Sequence, residues 1–427
     1  MSCIHLLYCD KSHYQNFTPP FDIPESWQWV RLGDYVINRD GERVPIASTI
    51  RSKQSNKIYD YYGAAGAIDK VDNYIFDERL LLIGEDGANL LSRTKDNAFF
   101  ADGKYWVNNH AHVLDSSDKF LLEFVALYIN TIPLDDYITG SAQPKLSQDN
   151  LNNIHLPIPP IEEQRRILTM IESLMSIICE IRESKQQLSQ SIALTKSKIL
   201  DLAMQGKLVP QDPADEPAAE MLRRVNPKAK IITDNPQCRN LPLGWTLCQL
   251  RDLCSFLSRG KSPKYSETPN QYPVFAQKCN LKDGDISLTQ ARFLDENTIS
   301  KWPEKYRLRD GDVLVNSTGT GTVGRTRMFK SEYLGNYPFV VPDSHVSVVR
   351  SFDEIDSTYI FYCLYCQDGQ QYFAENLAGS TNQKELYIDV IGDKSIMLPP
   401  INEQKRIVAK IEEQYSVLYE IEASLRS

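Results

Sequence analysis

The sequence predicts an α+β protein with two similar globular domains, a pseudo-twofold repeat and long antiparallel coiled-coil helices that join the domains. Three observations lead to this class: an internal repeat, a change to helical periodicity after each domain, and strand-and-turn patterns inside the domains. The 427 residues exceed what one typical domain needs. We therefore divide the chain into a linker-like N-terminal segment (1–22), a first domain (23–158), a long central helix (159–206), a linker (207–240), a second domain (241–398) and a short distal helix (399–427).

The internal repeat is clearest at the two ends of each domain. Ile-Pro-Glu-Ser-Trp at 23–27 matches Leu-Pro-Leu-Gly-Trp at 241–245, and Leu-Pro-Ile-Pro-Pro-Ile at 156–161 matches Ile-Met-Leu-Pro-Pro-Ile at 396–401. The sequence between the matched ends differs in length and in residues. This pattern favours one shared scaffold that carries two different specificities, whereas a duplication followed by drift would not concentrate divergence there.

Apolar residues after Pro160 recur at alternating steps of three and four, which is the seam of a coiled coil. Pro160 suits a first helical turn and Gly206 suits a helix end. The helix between them is roughly 45 residues long, or about 65–70 Å. A shorter copy begins at Pro400, and we expect the two to pair antiparallel, the alternative being that each packs on its own domain. The predicted seam comprises Ile171, Leu174, Ile178, Ile181, Leu188, Ile192, Ile199, Leu202, Ile407, Ile411, Leu418, Ile421 and Leu425.

Inside each domain, short apolar runs alternate with turns. Residues 79–83 and 312–316 are typical of strands that enter glycine-rich turns, and residues 120–130 and 357–367 are typical of short helices. We expect each domain to be built on a twisted, mainly antiparallel sheet.

Composition limits the class of protein further. The apolar runs are too short to cross a bilayer, and the chain begins without the basic and apolar regions of a signal peptide. Nine cysteines in no regular spacing favour a reducing cytosol, and Cys363 and Cys366 are expected to be buried structural residues rather than a metal or redox site. The net charge of −9 suggests that partner proteins supply some of the contacts to any polyanion.

Several loops carry residue types that contact nucleic acid: lysine and arginine for phosphate or guanine, and side-chain amides for adenine. The related loops 140–145 and 379–384 combine small residues, an amide and a lysine, although an ordinary polar turn is the alternative. The candidate contacts are Arg51, Lys53, Lys57, Gly140, Ser141, Gln143, Lys145, Lys261, Lys264, Arg325, Arg327, Lys330, Gly379, Ser380, Asn382 and Lys384.

The glycine-rich stretch 319–326 satisfies a dinucleotide pattern and nearly satisfies a phosphate-loop pattern. Both need a helix directly after the glycines, whereas a strand is expected there. A flexible loop near DNA or a plain hairpin is therefore favoured. A metal site at His110, His112 and Asp115 remains a minor alternative, and no methyltransferase or nuclease motif is apparent.

Four segments resemble the specificity (S) subunit of type I restriction-modification systems: residues 23–34, 156–167, 398–407 and Gly-Lys-Leu-Val-Pro-Gln-Asp-Pro at 206–213. The resemblance implies that each domain is a target recognition domain that reads one part of a split double-stranded DNA sequence. It implies no catalysis, cofactor or metal in this chain. The helices would set the gap and dock two methylation (M) subunits, which bind S-adenosylmethionine, and a restriction (R) subunit would supply ATP- and Mg-dependent cleavage.

The resemblance also implies a bacterial or archaeal cytoplasmic protein without a membrane partner. A coiled-coil scaffold with protein-binding domains, or a methyltransferase or nuclease with its own chemistry, are the alternatives. The linker-like residues 1–22 and the short last helix suggest a recombined or shortened allele, which would fail to assemble stably with its M subunit unless that helix were extended.

Overall fold

The matched ends of each domain pair with each other in a short antiparallel ribbon. In the computed structural model, which describes residues 17–140, 142–282, 284–319, 321–379 and 384–426, strand Gln28–Arg31 pairs with His155–Ile158. Thr246–Gln249 pairs with Ser395–Leu398 in the same way. The repeated sequence motifs thus form one structural feature in each domain.

A buried glutamine repeats the same contact where each long helix begins. Gln164 Nε2 donates to Pro159 O at 2.8 Å, and Gln404 Nε2 donates to Pro399 O at 2.9 Å. Carbonyls next to a helix start inside a protein need a donor, so these bonds explain why the glutamine recurs after Pro-Pro-Ile.

The chain divides into two compact units between Ile181 and Arg182. The elements that begin in the first unit are β1 Gln28–Arg31, α1 Leu32–Tyr35, β2 Ile37–Asn38, α2 Ser48–Arg51, β3 Tyr59–Gly63, β4 Gly66–Val71, β5 Phe76–Asp77, β6 Leu80–Gly84, α3 Asn89–Ser92, β7 Ala98–Ala101, β8 Lys104–Val107, β9 Ala111–Asp115, α4 Lys119–Thr131, α5 Gln148–Asn152, β10 His155–Ile158 and α6 Ile161–Met204.

The second unit contains the last part of α6 and the elements that follow it. These are α7 Ala218–Val225, β11 Thr246–Gln249, β12 Cys254–Arg259, β13 Pro273–Phe275, β14 Arg292–Phe293, β15 Val313–Asn316, β16 Thr326–Met328, β17 Val341–Pro342, β18 Val346–Ser351, α8 Ser357–Tyr365, α9 Gln367–Glu375, α10 Ile388–Asp393, β19 Ser395–Leu398 and α11 Ile401–Arg426.

Each unit has the same sheet plan. An antiparallel sheet of four strands has the order β2-β9-β6-β7 in the first unit and β12-β18-β15-β16 in the second. A second, mixed sheet contains one parallel pair, β3 with β8 or β13 with β17. The prediction of α+β domains is confirmed, but the expectation of one sheet in each was wrong, because each unit has two sheets besides the ribbon.

One inner strand of each antiparallel sheet, β6 in the first unit and β15 in the second, is buried on both faces. In β6, Leu81 and Ile83 pack in the cluster around helix α4, and Leu80 and Leu82 pack in the cluster around Tyr105. The alternation follows the two-residue period of a strand. Burial on both faces explains the uninterrupted apolar run in the sequence.

The last part of α6 and helix α11 run antiparallel within the second unit, as predicted. Lys196 Nζ lies 2.8 Å from Glu422 Oε2, while Arg406 bonds Asp215, which follows α6, at 2.7 Å. Their contact buries Ile199 and Ile411.

The first part of the predicted seam is not buried among the described residues. Leu174, Ile178, Ile181 and Leu188 are between 42% and 61% exposed, and Ile421 on α11 is 37% exposed. The seam expected from the periodicity is therefore covered only in part. The heptad pattern identifies the face of a helix that can pack, but it does not identify a partner. Ile192, Ile199, Ile407 and Ile411 are buried, and Ile171, Leu202, Leu418 and Leu425 are partly buried.

Among the helices of the described ranges, none combines the length and the apolar character that a membrane span requires.

Candidate nucleic-acid interface

The loop 139–146 of the first unit is held at both of its ends by backbone hydrogen bonds. Lys145 forms bridges with Thr139 and with Asp86, and Leu146 N donates to Glu85 O at 2.8 Å. Gly140 has φ +82°, a conformation that side chains disfavour. The loop is thus fixed to the end of β6, and Gln143 and Lys145 are exposed on it.

The loop before Leu386 in the second unit has the same frame. Glu385 forms bridges with Ala378 and with Thr318, and Leu386 N donates to Ser317 O at 2.8 Å. Glu385 is therefore the structural counterpart of Lys145. The match of Lys145 with Lys384 predicted from the sequence is therefore wrong by one residue, because this loop is one residue longer than the loop of the first unit. Gly379, at φ +99°, and the exposed Lys384 flank the loop, and the candidates Ser141, Ser380 and Asn382 lie outside the described residues.

A buried charged cluster lies beneath the first loop. His112 is fully buried, with Nδ1 at 2.6 Å from Asp40 Oδ2 and Nε2 at 2.8 Å from Leu146 O. The Leu146 carbonyl only accepts, so Nε2 is the donor of that bond, and Nδ1 faces the Asp40 carboxylate. His112 therefore connects β9 to the residue at which the candidate loop ends.

Arg43 completes this cluster. Its Nη1 donates to Glu85 Oε2 at 2.6 Å, and its Nη2 lies 3.3 Å from Asp40 Oδ2. Burial alone would raise the pKa of Asp40, but the hydrogen bond and charge of His112, with Arg43, lower that pKa. Burial likewise opposes ionisation of Glu85, but Arg43, His112 and Lys145 together outweigh burial and lower the pKa of Glu85. Both carboxylates are held ionised by cations of the protein itself.

The same cluster is the one group in the described chain with a metal-like donor set, since ligand atoms of Asp40, Glu85 and His112 lie within 4.8 Å of one another. Arg43 already occupies the position of a cation between the two carboxylates, and both nitrogens of His112 are engaged. The metal site that the sequence suggested as a minor alternative is a different set of residues. His110 instead bonds Asp86 at 2.7 Å, and Asp115 pairs with Lys119 and Arg39.

The second unit has hydroxyl groups where the first has this charged cluster. Ser347 aligns with His112 in the sheet register, and its Oγ lies 2.6 Å from the Oγ of Ser317, with both residues fully buried. Arg259 forms an ion pair with Glu385 and donates to Ser344 O. The two loops therefore share a backbone frame but differ in the charges that support it.

Most cations predicted to contact nucleic acid already have protein partners. In the first unit, Arg51 and Lys57 share Asp69 at 2.8 Å and 3.1 Å, and Arg51 also lies over the buried Tyr61 ring. The hydrogen bond from Arg51 is the main reason that the pKa of Asp69 is lowered to about 2. Lys145 lies 3.1 Å from Glu85. Lys53 is exposed.

The candidate lysines of the second unit are engaged as well. Lys264 lies 2.7 Å from Asp295, Lys330 lies 3.8 Å from Glu332, and Lys261 contacts the Tyr306 ring at 4.2 Å. Exposed ion pairs stabilise a protein only weakly. A phosphate can therefore replace the carboxylate at little cost, and the acidic net charge is compatible with local polyanion contacts.

The glycine-rich stretch is a hairpin loop between β15 and β16. Thr322 N and Val323 N both donate to Gly319 O, and Gly324 N donates to Asn316 O. These amides are not free to bind phosphate, and a strand follows instead of a helix. Both features argue against the nucleotide-binding alternative.

Gly260 sets the position of the candidate Lys261. A Cβ at Gly260 would lie 2.1 Å from Asp343 O and 2.3 Å from Pro342 O, both backbone atoms. Gly260→Ala is expected to destabilise the second unit by about 1–3 kcal/mol, because the backbone must move apart. Thermal unfolding measures this, and Gly41→Ala, with nothing within 4 Å of the new Cβ, is the control. Equal unfolding temperatures for both variants would contradict the close approach.

Asp40 and Arg43 support the loop, but they are not among the site residues predicted from the sequence. They lie in Arg-Asp-Gly-Glu-Arg (39–43), a charged segment directly after the short strand β2. The density of charged residues after this strand was the available signal, but the partner Glu85 is 42 residues away from Arg43.

The sequence is similar to known proteins over most of its length. The chain is 24% identical to a putative type I restriction enzyme specificity subunit of Haemophilus influenzae over 383 residues, covering 90% of this chain and 86% of that protein. It is also 24% identical to the EcoEI specificity subunit of Escherichia coli, covering 96% of this chain and 81% of that one.

Solved structures share the fold. The HsdS subunit from Thermoanaerobacter tengcongensis gives a TM-score of 0.56 at 19% identity, covering 95% of both chains. A chain from a structure on complex assembly and conformational transition of the type I R-M system gives 0.58 at 20% identity, covering 95% of this chain and 94% of that one. The family model for the type I restriction modification DNA specificity domain matches residues 24–190 and again 242–426. The chain, with two such domains, therefore belongs to the family of type I restriction-modification DNA specificity subunits.

Proposed function

We propose that this chain is the non-catalytic reader of a type I restriction-modification complex, in which each domain reads one part of a bipartite double-stranded DNA target. One observation carries the proposal: the two units present loops on the same backbone frame, but Lys145 and His112 in one correspond to Glu385 and Ser347 in the other. A shared frame with different loop chemistry suits two readers of different sequences.

We further propose that two M subunits, which bring S-adenosylmethionine, and an R subunit, which brings ATP and Mg, supply the chemistry. The chain's net charge of −9 supports a sharing of DNA contacts with such partners. The exposed apolar residues of α6, from Leu174 to Leu188, support a protein partner on the helices.

Methylome sequencing of a host that carries the chain and its M subunit tests the proposal. We expect a bipartite motif with a methylated adenine in each part. Exchange of residues 30–155 for those of another family member should change one part of the motif only, because the second unit keeps its own loops. The parent chain in the same host is the control.

Two results would contradict the proposal. Methyl transfer to DNA by the purified chain without an M subunit would make it an enzyme. A complex with M that protects no particular DNA sequence would make the chain a scaffold.

A further inference from the structure

A cavity of about 760 Å³ lies within the second unit, between the hairpin loop after β15, the end of α8 and the helices α6 and α11. We propose that this cavity binds an acidic segment of the M subunit, with a carboxylate against Arg325 and Arg327 and an apolar neighbour on the tyrosine rings. The inference rests on the proposed function and assigns Arg325 and Arg327 to a protein partner instead of DNA.

The charge of the cavity is the first argument. Arg325 Nη1 donates to Asn280 O, and Arg327 Nη2 donates to Leu281 O. Within the described residues neither guanidinium forms an ion pair with a carboxylate, and the Nε of Arg327 is buried without a hydrogen-bond partner. Burial lowers the pKa of Arg327, and the positive charge of Arg325 lowers it further. Two adjacent cations without an ion pair favour an anionic ligand.

Other residues that line the cavity supply aromatic surface without further net charge. Tyr365 is 42% exposed and Tyr419 is 56% exposed. Lys196 lies 3.8 Å from the Tyr419 ring centroid and pairs with Glu422 at 2.8 Å, so its charge is compensated. Tyrosine and arginine are among the residues that contribute most to the affinity of protein–protein interfaces, and this cavity has both.

The shape favours a polypeptide segment over duplex DNA. A volume of about 760 Å³ is that of a concave site for a few side chains. The amides of Thr322, Val323 and Gly324 are already bonded within the loop, so these three amides are not available to a phosphate. The cavity also lies between the hairpin loop after β15 and the helices α6 and α11, so a partner that is bound to the helices would reach it.

The test measures the dissociation constant between the full chain and its purified M subunit, and separately the DNA affinity of the assembled complex at saturating M. Arg325→Gln and Tyr419→Ala should each raise the dissociation constant for the M subunit at least about tenfold. Arg325→Lys keeps the positive charge and should therefore raise it less than Arg325→Gln does. Arg292→Gln is the matched control, because Arg292 lies over the Tyr265 ring at 3.6 Å outside the cavity, and it should change the constant less than twofold. Unchanged unfolding temperatures confirm that the variants fold, and Tyr419→Ala leaves the Arg325 bond to Asn280 intact.

Equal M affinity for all variants, with binding by the parent chain, would overturn the cavity assignment and leave the proposed function standing. Weakened DNA affinity at saturating M with unchanged M affinity would assign the arginines to DNA and also overturn it. No binding of M by the parent chain would instead overturn the proposed function itself.

Discussion

Replacing Arg350 by methionine is expected to destabilise the second unit by about 3–5 kcal/mol. Asp312 is fully buried, and Arg350 holds both of its carboxylate oxygens at 2.7 Å. Arg350 also donates to the backbone carbonyls of Lys305 and Arg307. Removal of the guanidinium leaves a buried carboxylate without a counter-ion and two carbonyls without a donor.

The dependence of this loss on pH distinguishes the mechanism from simple loss of packing. Burial already raises the pKa of Asp312, although Arg350 opposes the shift. Without Arg350 that pKa rises further above the unfolded value of about 3.9. The native state then binds a proton that the unfolded state has released, so stability falls as the pH rises through the folded pKa. The deficit of the variant should therefore be larger at pH 8 than at pH 5.

Urea unfolding, monitored by hydrogen exchange in peptides of each unit, measures this loss of stability, because the exchange reports on the two units separately. Arg224→Gln, which breaks an exposed pair with Glu216, is the control and should leave the stability almost unchanged. A pH-independent deficit would contradict a higher pKa of Asp312 in the variant and would leave lost packing and hydrogen bonds as the cause of the deficit.

The parts of the fold that the sequence predicts well are those in which the matched residues contact each other. The Trp and Pro-Pro-Ile ends recur because they form one ribbon in each domain, where Trp29 lies opposite Pro157 and Leu247 lies opposite Met397. The long helices follow from a periodicity that extends over many turns. Burial of both faces of β6 explains why Leu80–Ile83 read clearly as a strand.

The candidate site is less predictable because its partners are far apart in the chain. Arg51 and Asp69 are 18 residues apart, and Arg43 and Glu85 are 42 apart, so no local pattern reveals that these charges are paired. The alignment of Lys145 with Lys384 followed residue type, whereas the bridges align Lys145 with Glu385. The heptads likewise predicted a continuous seam, but a repeat does not tell which residues find a partner, and Ile181 remains exposed.

Replacement of His112 by phenylalanine should abolish recognition by the first domain and leave the second domain's half of the target unchanged. The ring connects Asp40 to Leu146 O, the end of the loop that carries Lys145. His112→Phe leaves Asp40 buried without its main donor, and we expect a loss of about 3–5 kcal/mol in the first unit.

Two smaller changes separate the positioning role of His112 from its contribution to stability. In His112→Gln, the amide can take the place of Nε2 and keep the bond to Leu146 O, whereas His112→Asn can take the place of Nδ1 and keep only the bond to Asp40. We expect the glutamine variant to retain the first half of the methylated motif. The asparagine variant should lose specificity there while remaining folded, because the loop is no longer held to β9.

Methylome sequencing with each variant reads both halves of the motif in one experiment. Ser347→Ala is the matched control, since it removes the corresponding support of the second loop, the hydroxyl contact with Ser317, and should affect the second half only. A merely structural role of His112 would weaken both halves in proportion to the amount of folded protein. If the asparagine and glutamine variants behave alike, the bond to Leu146 does not position the loop, and the difference in loop support between the two domains carries no specificity.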